Sequence, residues 1–227
     1  MKNLKLIITR HSESIWNKKN CFTGWSNIDL TEKGYKDSMK TAYILKNNNI
    51  IPDRILTSKL IRSIKTSEII KNTLKIENNI ETSWRLNERH YGILEGMNRD
   101  LAIEKYGKDN IKNIRQKFYY MPYIDFKNKA VVNTCNILNN DQETPIGESN
   151  DMVYKRVLPY WENTIKKYLN QNETILLVSH KNTLRCLMKI FENLSIDEFN
   201  KTDIKNNELL LYNFDKNFKI NSKFYLY

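Results

Sequence analysis

Two apolar runs in this sequence stop on a histidine: LIITRH over residues 6–11 and ILLVSH over residues 175–180. The chain has only three histidines, and nine arginines against 28 lysines. Imidazoles and guanidiniums are therefore scarce in a background rich in lysine and asparagine. Arg10 directly precedes the first of these histidines, and Arg62 falls in the segment KLIRSIKT. Two imidazoles with two or more guanidiniums form a site for a phosphoryl group. One histidine can attack phosphorus, the other can hydrogen-bond the equatorial oxygens, and arginine offers a planar bidentate fork to a dianion. A lone histidine at a strand end is as often a satisfied buried side chain. Both together, with the Arg-His pair and Arg62, favour chemistry.

The elements that must position these residues follow from hydrophobic patterning. LKLIITR (4–10), DRILTS (53–58) and TILLVSH (174–180) are short apolar runs suited to strands buried on both faces. Between them, Thr31 can cap a helix running to about Lys46, and KLIRSIKTSEIIKNTLK (59–75) reads as a second helix with Arg62 in its first turn. Residues 11–30 read as a polar loop, and a short segment near 80–83 precedes the irregular WRLNERHYGILEG. Asn98 is placed to cap a helix ending at Gly107, followed by a helical stretch to about Tyr120. Residues 121–147 have no clear period and are expected to form a long surface excursion. Helices are expected over 148–169 and 183–193, and Ser195 with Glu198 makes a capping box for a short one. Strand-like runs near 208–214 and 218–226 close the chain. Strands alternating with helices imply one α/β domain over residues 1–227, a sandwich around a mostly parallel central sheet flanked by helices. In such sheets ligands bind beyond the carboxyl ends of the strands, where both histidines lie.

Composition narrows the function class. A hydrophobic fraction of 40% in 227 residues suits one substantial core. No apolar stretch approaches the ~18 residues of a membrane span, and the N-terminus does not read as a secretory signal. Cys21, Cys135 and Cys186 are odd in number and match no metal-ligand spacing, so they read as reduced thiols in a cytoplasmic protein. The net charge of +11 admits a nucleic-acid binder or an enzyme for anionic substrates. The lysines are scattered, without a basic block or a nucleic-acid motif, which favours the second.

The segments RHSESIWN…FTGW, TSKLIRSIKT, SWRLNERHYGILEGMN, RVLPYW and SHKNTLR resemble the cofactor-dependent phosphoglycerate mutases of the histidine phosphatase superfamily, from about Leu4 to the C-terminus. SWRLNERHYG is the most specific of these blocks. The resemblance implies a three-layer, phosphoglycerate mutase-like sandwich and interconversion of 2- and 3-phosphoglycerate, primed by 2,3-bisphosphoglycerate and needing no metal. It implies that His11 is the nucleophile that becomes phosphohistidine, with Arg10 and Arg62 as phosphate ligands, His180 stabilising the transferring group and Glu88 as general acid and base. Asn17, Thr23, Gly24, Arg89, Tyr91, Arg99, Arg115, Gln116, Lys181 and Asn182 complete the implied substrate contacts. The expected partner is a small phosphorylated substrate, with neither nucleic acid nor a membrane; a homodimer is left open. Besides Arg156 in RVLPYW, seven of the nine arginines (10, 62, 85, 89, 99, 115 and 185) fall inside or beside the other matching segments.

The chain departs from the family pattern at places that bear on the chemistry. Ser12 and Lys181 stand where the family has glycine after each histidine. Either side chain would crowd the phosphate or, for Lys181, add a cation to it; a positive φ there would add strain. Arg99 replaces a lysine, and only Arg115 remains of a pair of arginines, followed by Gln116 and Lys117. A late proline-glycine turn is replaced by KNNEL (205–209), where Asn207 can take the left-handed conformation. These changes keep two further readings in view: a phosphatase or bisphosphoglycerate-processing enzyme on the same site, and a catalytically impaired phosphate-binding protein.

Overall fold

Apolar residues alternate along the central strands, and each alternate set enters a different core. The computed structural model describes residues 4–122 and 146–227. The expected excursion at 121–147 and Cys135 therefore lie almost wholly outside the described residues. Strands β1 (Leu4–Arg10), β2 (Arg54–Thr57), β3 (Ile80–Thr82), β4 (Ile175–Ser179), β5 (Leu209–Phe214) and β6 (Ile220–Leu226) form one sheet of order β3-β2-β4-β1-β5-β6. Leu6, Ile8, Ile175 and Leu177 point into one core, while Ile7, Leu176 and Val178 point into the other. The first core is closed by helices α6 (Asn150–Tyr160), α8 (Lys181–Phe191) and α9 (Ile196–Lys201) through Val153, Val157, Leu184, Leu187 and Phe199. The second is closed by α2 (Glu32–Asn47) and α3 (Ile61–Leu74) through Ala42, Leu45, Ile70 and Leu74. Helices on both faces of a sheet give the expected three layers.

The sheet is parallel from β3 through β1, and the β5–β6 hairpin adds two antiparallel pairings at the other edge. Strand β1 is paired on both sides, by β4 and β5, which matches its continuous apolar run.

Several boundaries differ from the sequence reading for local reasons. The expected loop at 11–30 contains a one-turn helix, α1 (Ile15–Lys18), held by a reciprocal capping box between Ser14 and Asn17. The helix expected at Thr183 begins two residues earlier, with His180 as its N-cap. The helix expected unbroken over 148–169 passes from α6 through a π-helical turn at Trp161–Ile165 into α7 (Lys166–Asn170). Pro159 lies just before that turn and lacks the N–H that a regular helix needs. Helix α4 (Arg99–Tyr106) is capped by Asn98 as expected, and α5 (Lys108–Gln116) stops short of Tyr120.

Candidate active site

The register of β1 against β4 brings the two histidines together. Arg10 pairs with Ser179, and the next amide, His11 N, donates to Ser179 O at 2.9 Å. Each strand then ends, and the imidazole rings of His11 and His180 meet with centroids 4.9 Å apart. His11 Nδ1 lies 2.7 Å from the Ser12 carbonyl oxygen, which can only accept. Nδ1 therefore carries the proton, and Nε2 keeps its lone pair. His180 Nε2 is 2.7 Å from Ser58 Oγ, whereas its Nδ1 is buried without a protein partner. Burial, then Arg62, holds both imidazoles well below the usual histidine pKa, so both are neutral at pH 7.

Cations surround the pair. Helix α3 follows β2 and places Arg62 against the loop 24–26, where its guanidinium donates to Gly24 O at 2.7 Å and Ser26 O at 2.8 Å. Burial lowers its pKa to about 10, which leaves it charged at neutral pH. Burial also lowers the pKa of Arg10 and of Arg99. The Nε atoms of Arg10, Arg62, Arg99 and Arg185, together with His180 Nδ1, are buried with no protein acceptor. Of these, the four guanidinium N–H groups are donors, and orphaned buried donors of this kind are costly unless an anion satisfies them. They suit a phosphate or bisphosphate ester. Among the described residues no group of His, Cys, Asp and Glu is arranged to hold a metal ion.

A cavity of about 270 Å³ opens above this cluster. Of the residues expected at the site, Arg10, Asn17, Thr23, Gly24, Arg62, Glu88, Tyr91, Arg99, Arg115, Gln116, Lys181 and Asn182 line it. His11 and His180 do not reach its wall, being 2% and 0% exposed, but their chain neighbours Arg10, Lys181 and Asn182 do. Arg89, like the two histidines, is buried and absent from the cavity wall. Its guanidinium donates to the Ile114 carbonyl and lies 4.6 Å from the Tyr91 ring centroid, so it supports the wall from behind. Glu88 Oε1 accepts from the amides of Arg89 at 2.8 Å and Asn182 at 3.3 Å. Asn182 Nδ2 donates to the Tyr91 hydroxyl at 2.9 Å.

Ser12 does not crowd the phosphate region. Its hydroxyl turns toward Ser38 and Asn207, and neither Ser12 nor Lys181 has positive φ. Asn207 does, at +60°, as expected. Lys181 contributes a cation to the cavity wall, but one already paired with Asp203.

Several supporting residues were not singled out in the sequence. Glu95 accepts from the amides of Trp25, Ser26 and Tyr91 and from the Ser26 hydroxyl, tying the loop 23–26 to the Glu88 segment. Arg156 grips Glu148 bidentately and also donates to the carbonyls of Arg85, Asn87 and Glu88. Its presence in the RVLPYW block was the signal available for it. Arg185, Ser58 and Asp203 complete this group.

Comparisons with known proteins agree with the geometry. Residues 6–123 and 121–223 match the histidine phosphatase superfamily (branch 1). A 2,3-bisphosphoglycerate-dependent phosphoglycerate mutase of Buchnera aphidicola subsp. Baizongia pistaciae is 39% identical, covering 100% of this chain and 99% of its own. One of the same description from Treponema denticola is 38% identical over 98% of this chain and 92% of its own. Among solved structures, a mycobacterial glucosyl-3-phosphoglycerate phosphatase superposes with a TM-score of 0.73 at 16% identity, covering 97% of this chain and 96% of its own. The alpha-ribazole phosphatase of Shigella flexneri gives 0.74, also at 16%, covering 98% and 95%. These structural likenesses show the shared fold.

Proposed function

The chain belongs to the histidine phosphatase superfamily, and within it we propose that the protein is a phosphoglycerate mutase, interconverting 2- and 3-phosphoglycerate through a phosphohistidine on His11. The observation that carries the reading is the His11 ring, its Nδ1 against the Ser12 carbonyl and its centroid 4.9 Å from that of His180, amid buried arginines with unmet donors. Full-length relatives named as phosphoglycerate mutases supply the substrate.

In this mechanism His11 Nε2 forms a bond to phosphorus as the bond from phosphorus to the substrate oxygen breaks. Arg10 and Arg62 balance the charge on the transferring group. If Ser58 donates its hydroxyl proton to His180 Nε2, then His180 Nδ1–H is free to hydrogen-bond an equatorial oxygen. Glu88, with Oε1 held by two amides, hands a proton to the departing oxygen and takes one from the hydroxyl that attacks next. Arg99, Arg115, Asn182 and Tyr91 face the rest of the anionic substrate. 2,3-Bisphosphoglycerate supplies the first phosphoryl group, and the same cationic wall would hold it. The reaction suits the cytoplasm, and Cys21 and Cys186 are free, buried thiols. No helix of the described residues is long and apolar enough to cross a membrane.

Incubation with 2,3-bisphosphoglycerate is expected to leave one acid-labile phosphate, located on His11 by peptide mapping, and none in His11→Gln. Mutase and phosphatase turnover measured on the same sample should show isomerisation exceeding hydrolysis. Hydrolysis alone would move the protein to the phosphatase reading, and persistent labelling of His11→Gln would remove His11 as nucleophile.

A further inference from the structure

The carbonyl that fixes the His11 tautomer belongs to Ser12, a residue anchored at two other atoms. Its amide donates to Thr66 Oγ1 at 3.1 Å. Its hydroxyl lies 2.6 Å from Ser38 Oγ and also bonds Asn207 Oδ1. Ser12 donates to Asn207, whose amide oxygen accepts, and the one Ser38 hydroxyl proton is shared between Ser12 Oγ and the Gly34 carbonyl at 2.9 Å. The strap that delivers Asn207 is bound to the same three residues of the nucleophile segment. Asn207 N donates to Arg10 O at 3.1 Å, and Asn206 Nδ2 donates to His11 O at 2.5 Å. The left-handed backbone at Asn207, φ +60°, turns its side chain back onto Ser12.

We propose that Ser12, Ser38 and Asn207 are positioning residues for His11, holding the Ser12 carbonyl so that the imidazole stays in its Nδ1–H form with Nε2 free to attack. The proposal rests on the reading of His11 as nucleophile. Where a glycine would leave this carbonyl to the backbone alone, a buried serine hydroxyl adds a side-chain tie from a strap 195 residues away. The two departures from the family pattern, at 12 and at 207, are thus two ends of one hydrogen bond. A nucleophile rotated or in the wrong tautomer loses alignment, and a misplacement of about 1 Å can cost roughly 100-fold in rate.

The test uses Ser12→Ala, Asn207→Gly, their double variant and Asn207→Asp. Glycine tolerates the left-handed turn and removes only the acceptor, whereas aspartate keeps it. Nitrogen-15 NMR of the His11 ring is expected to show a single Nδ1–H tautomer in the unmodified protein and in Asn207→Asp, and a tautomer mixture in the other three. Single-turnover phosphorylation of His11 by 2,3-bisphosphoglycerate should slow about 10- to 100-fold in those three with substrate affinity unchanged. The double variant should be no slower than the slower single, because both remove the same bond. An unaltered Nδ1–H tautomer in Ser12→Ala and Asn207→Gly overturns the proposal, as does an effect confined to melting temperature. Failure of the unmodified protein to accept phosphate would instead remove the phosphoglycerate reading, and the tautomer measurement would still decide this one.

Discussion

Lys181 Nζ lies 2.6 Å from Asp203 Oδ1, and both residues line the cavity that holds the cationic cluster. The lysine that stands in for a family glycine is therefore not a free cation. Its charge is matched by a carboxylate from the segment after α9, and burial lowers its pKa. Removing either partner should expose the other to an incoming anion.

Lys181→Gly would leave Asp203 uncompensated against the substrate's phosphate and carboxylate. KM for phosphoglycerate is expected to rise about 3- to 10-fold with kcat little changed, in keeping with a half-exposed charge contact. Asp203→Asn should lower KM and make it more sensitive to salt, and the double variant should return near the starting value. Steady-state kinetics at two salt concentrations check this; a lower KM in Lys181→Gly would mean that the side chain only obstructs.

Stability should fall on acidification. His11 and His180 titrate well below pH 6.5 in the folded protein because of burial and then Arg62. Between the lowered folded values and the unfolded value of about 6.5, the unfolded chain binds more protons than the native one, so unfolding becomes easier as pH drops. Each histidine can contribute a slope of up to about 1.4 kcal/mol per pH unit in that window. Denaturant melts from pH 7 to pH 5 should show the decline, and His180→Gln should flatten it.

Gly24 has φ +53°, and a Cβ there would meet Glu95 Oε1 at 1.8 Å. Gly24→Ala is expected to cost about 2–4 kcal/mol through backbone strain and displacement of that carboxylate. Because Glu95 organises the loop whose carbonyls hold Arg62, the variant should also lose affinity for phosphoglycerate. Urea melts and binding titration together test this, and a stable variant with normal affinity would contradict it.

Turnover should survive excess chelator. On the proposed mechanism, Arg10, Arg62, Arg99 and Arg115 on the cavity wall would supply the charge compensation that a divalent ion provides in other phosphoryl-transfer sites. Loss of activity restored by Mg²⁺ or Mn²⁺ would refute the mechanism.

The strands and the two terminal histidines were legible because buried strands write themselves as short apolar runs, and a histidine at the end of one is conspicuous. The cavity wall was largely legible too, through Arg62, Glu88, Arg99 and Arg115 in distinctive blocks. A motif gives the neighbourhood of a side chain and not its direction, so the contact of the Arg89 guanidinium with the Tyr91 ring and the Ile114 carbonyl was not legible. Glu95, Arg156 and Asn206 act on partners 68 to 195 residues away, which no local pattern encodes. Helix α1 was hidden because a single turn held by Ser14 and Asn17 has no apolar period to read.

The ladder between β1 and β4 has a consequence for how this chain can vary. A slip of one residue in that register would turn each β4 side chain to the opposite face and carry His180 away from His11. The separation of the two rings is therefore gauged by main-chain hydrogen bonds such as His11 N to Ser179 O, which are indifferent to side-chain identity. Replacements at 12, 181 and 205–209 all lie outside these two strands. An inserted residue inside 175–179 would dismantle the pair, whereas a replacement in the loops around it leaves the ladder, and so the meeting of the two rings, in place.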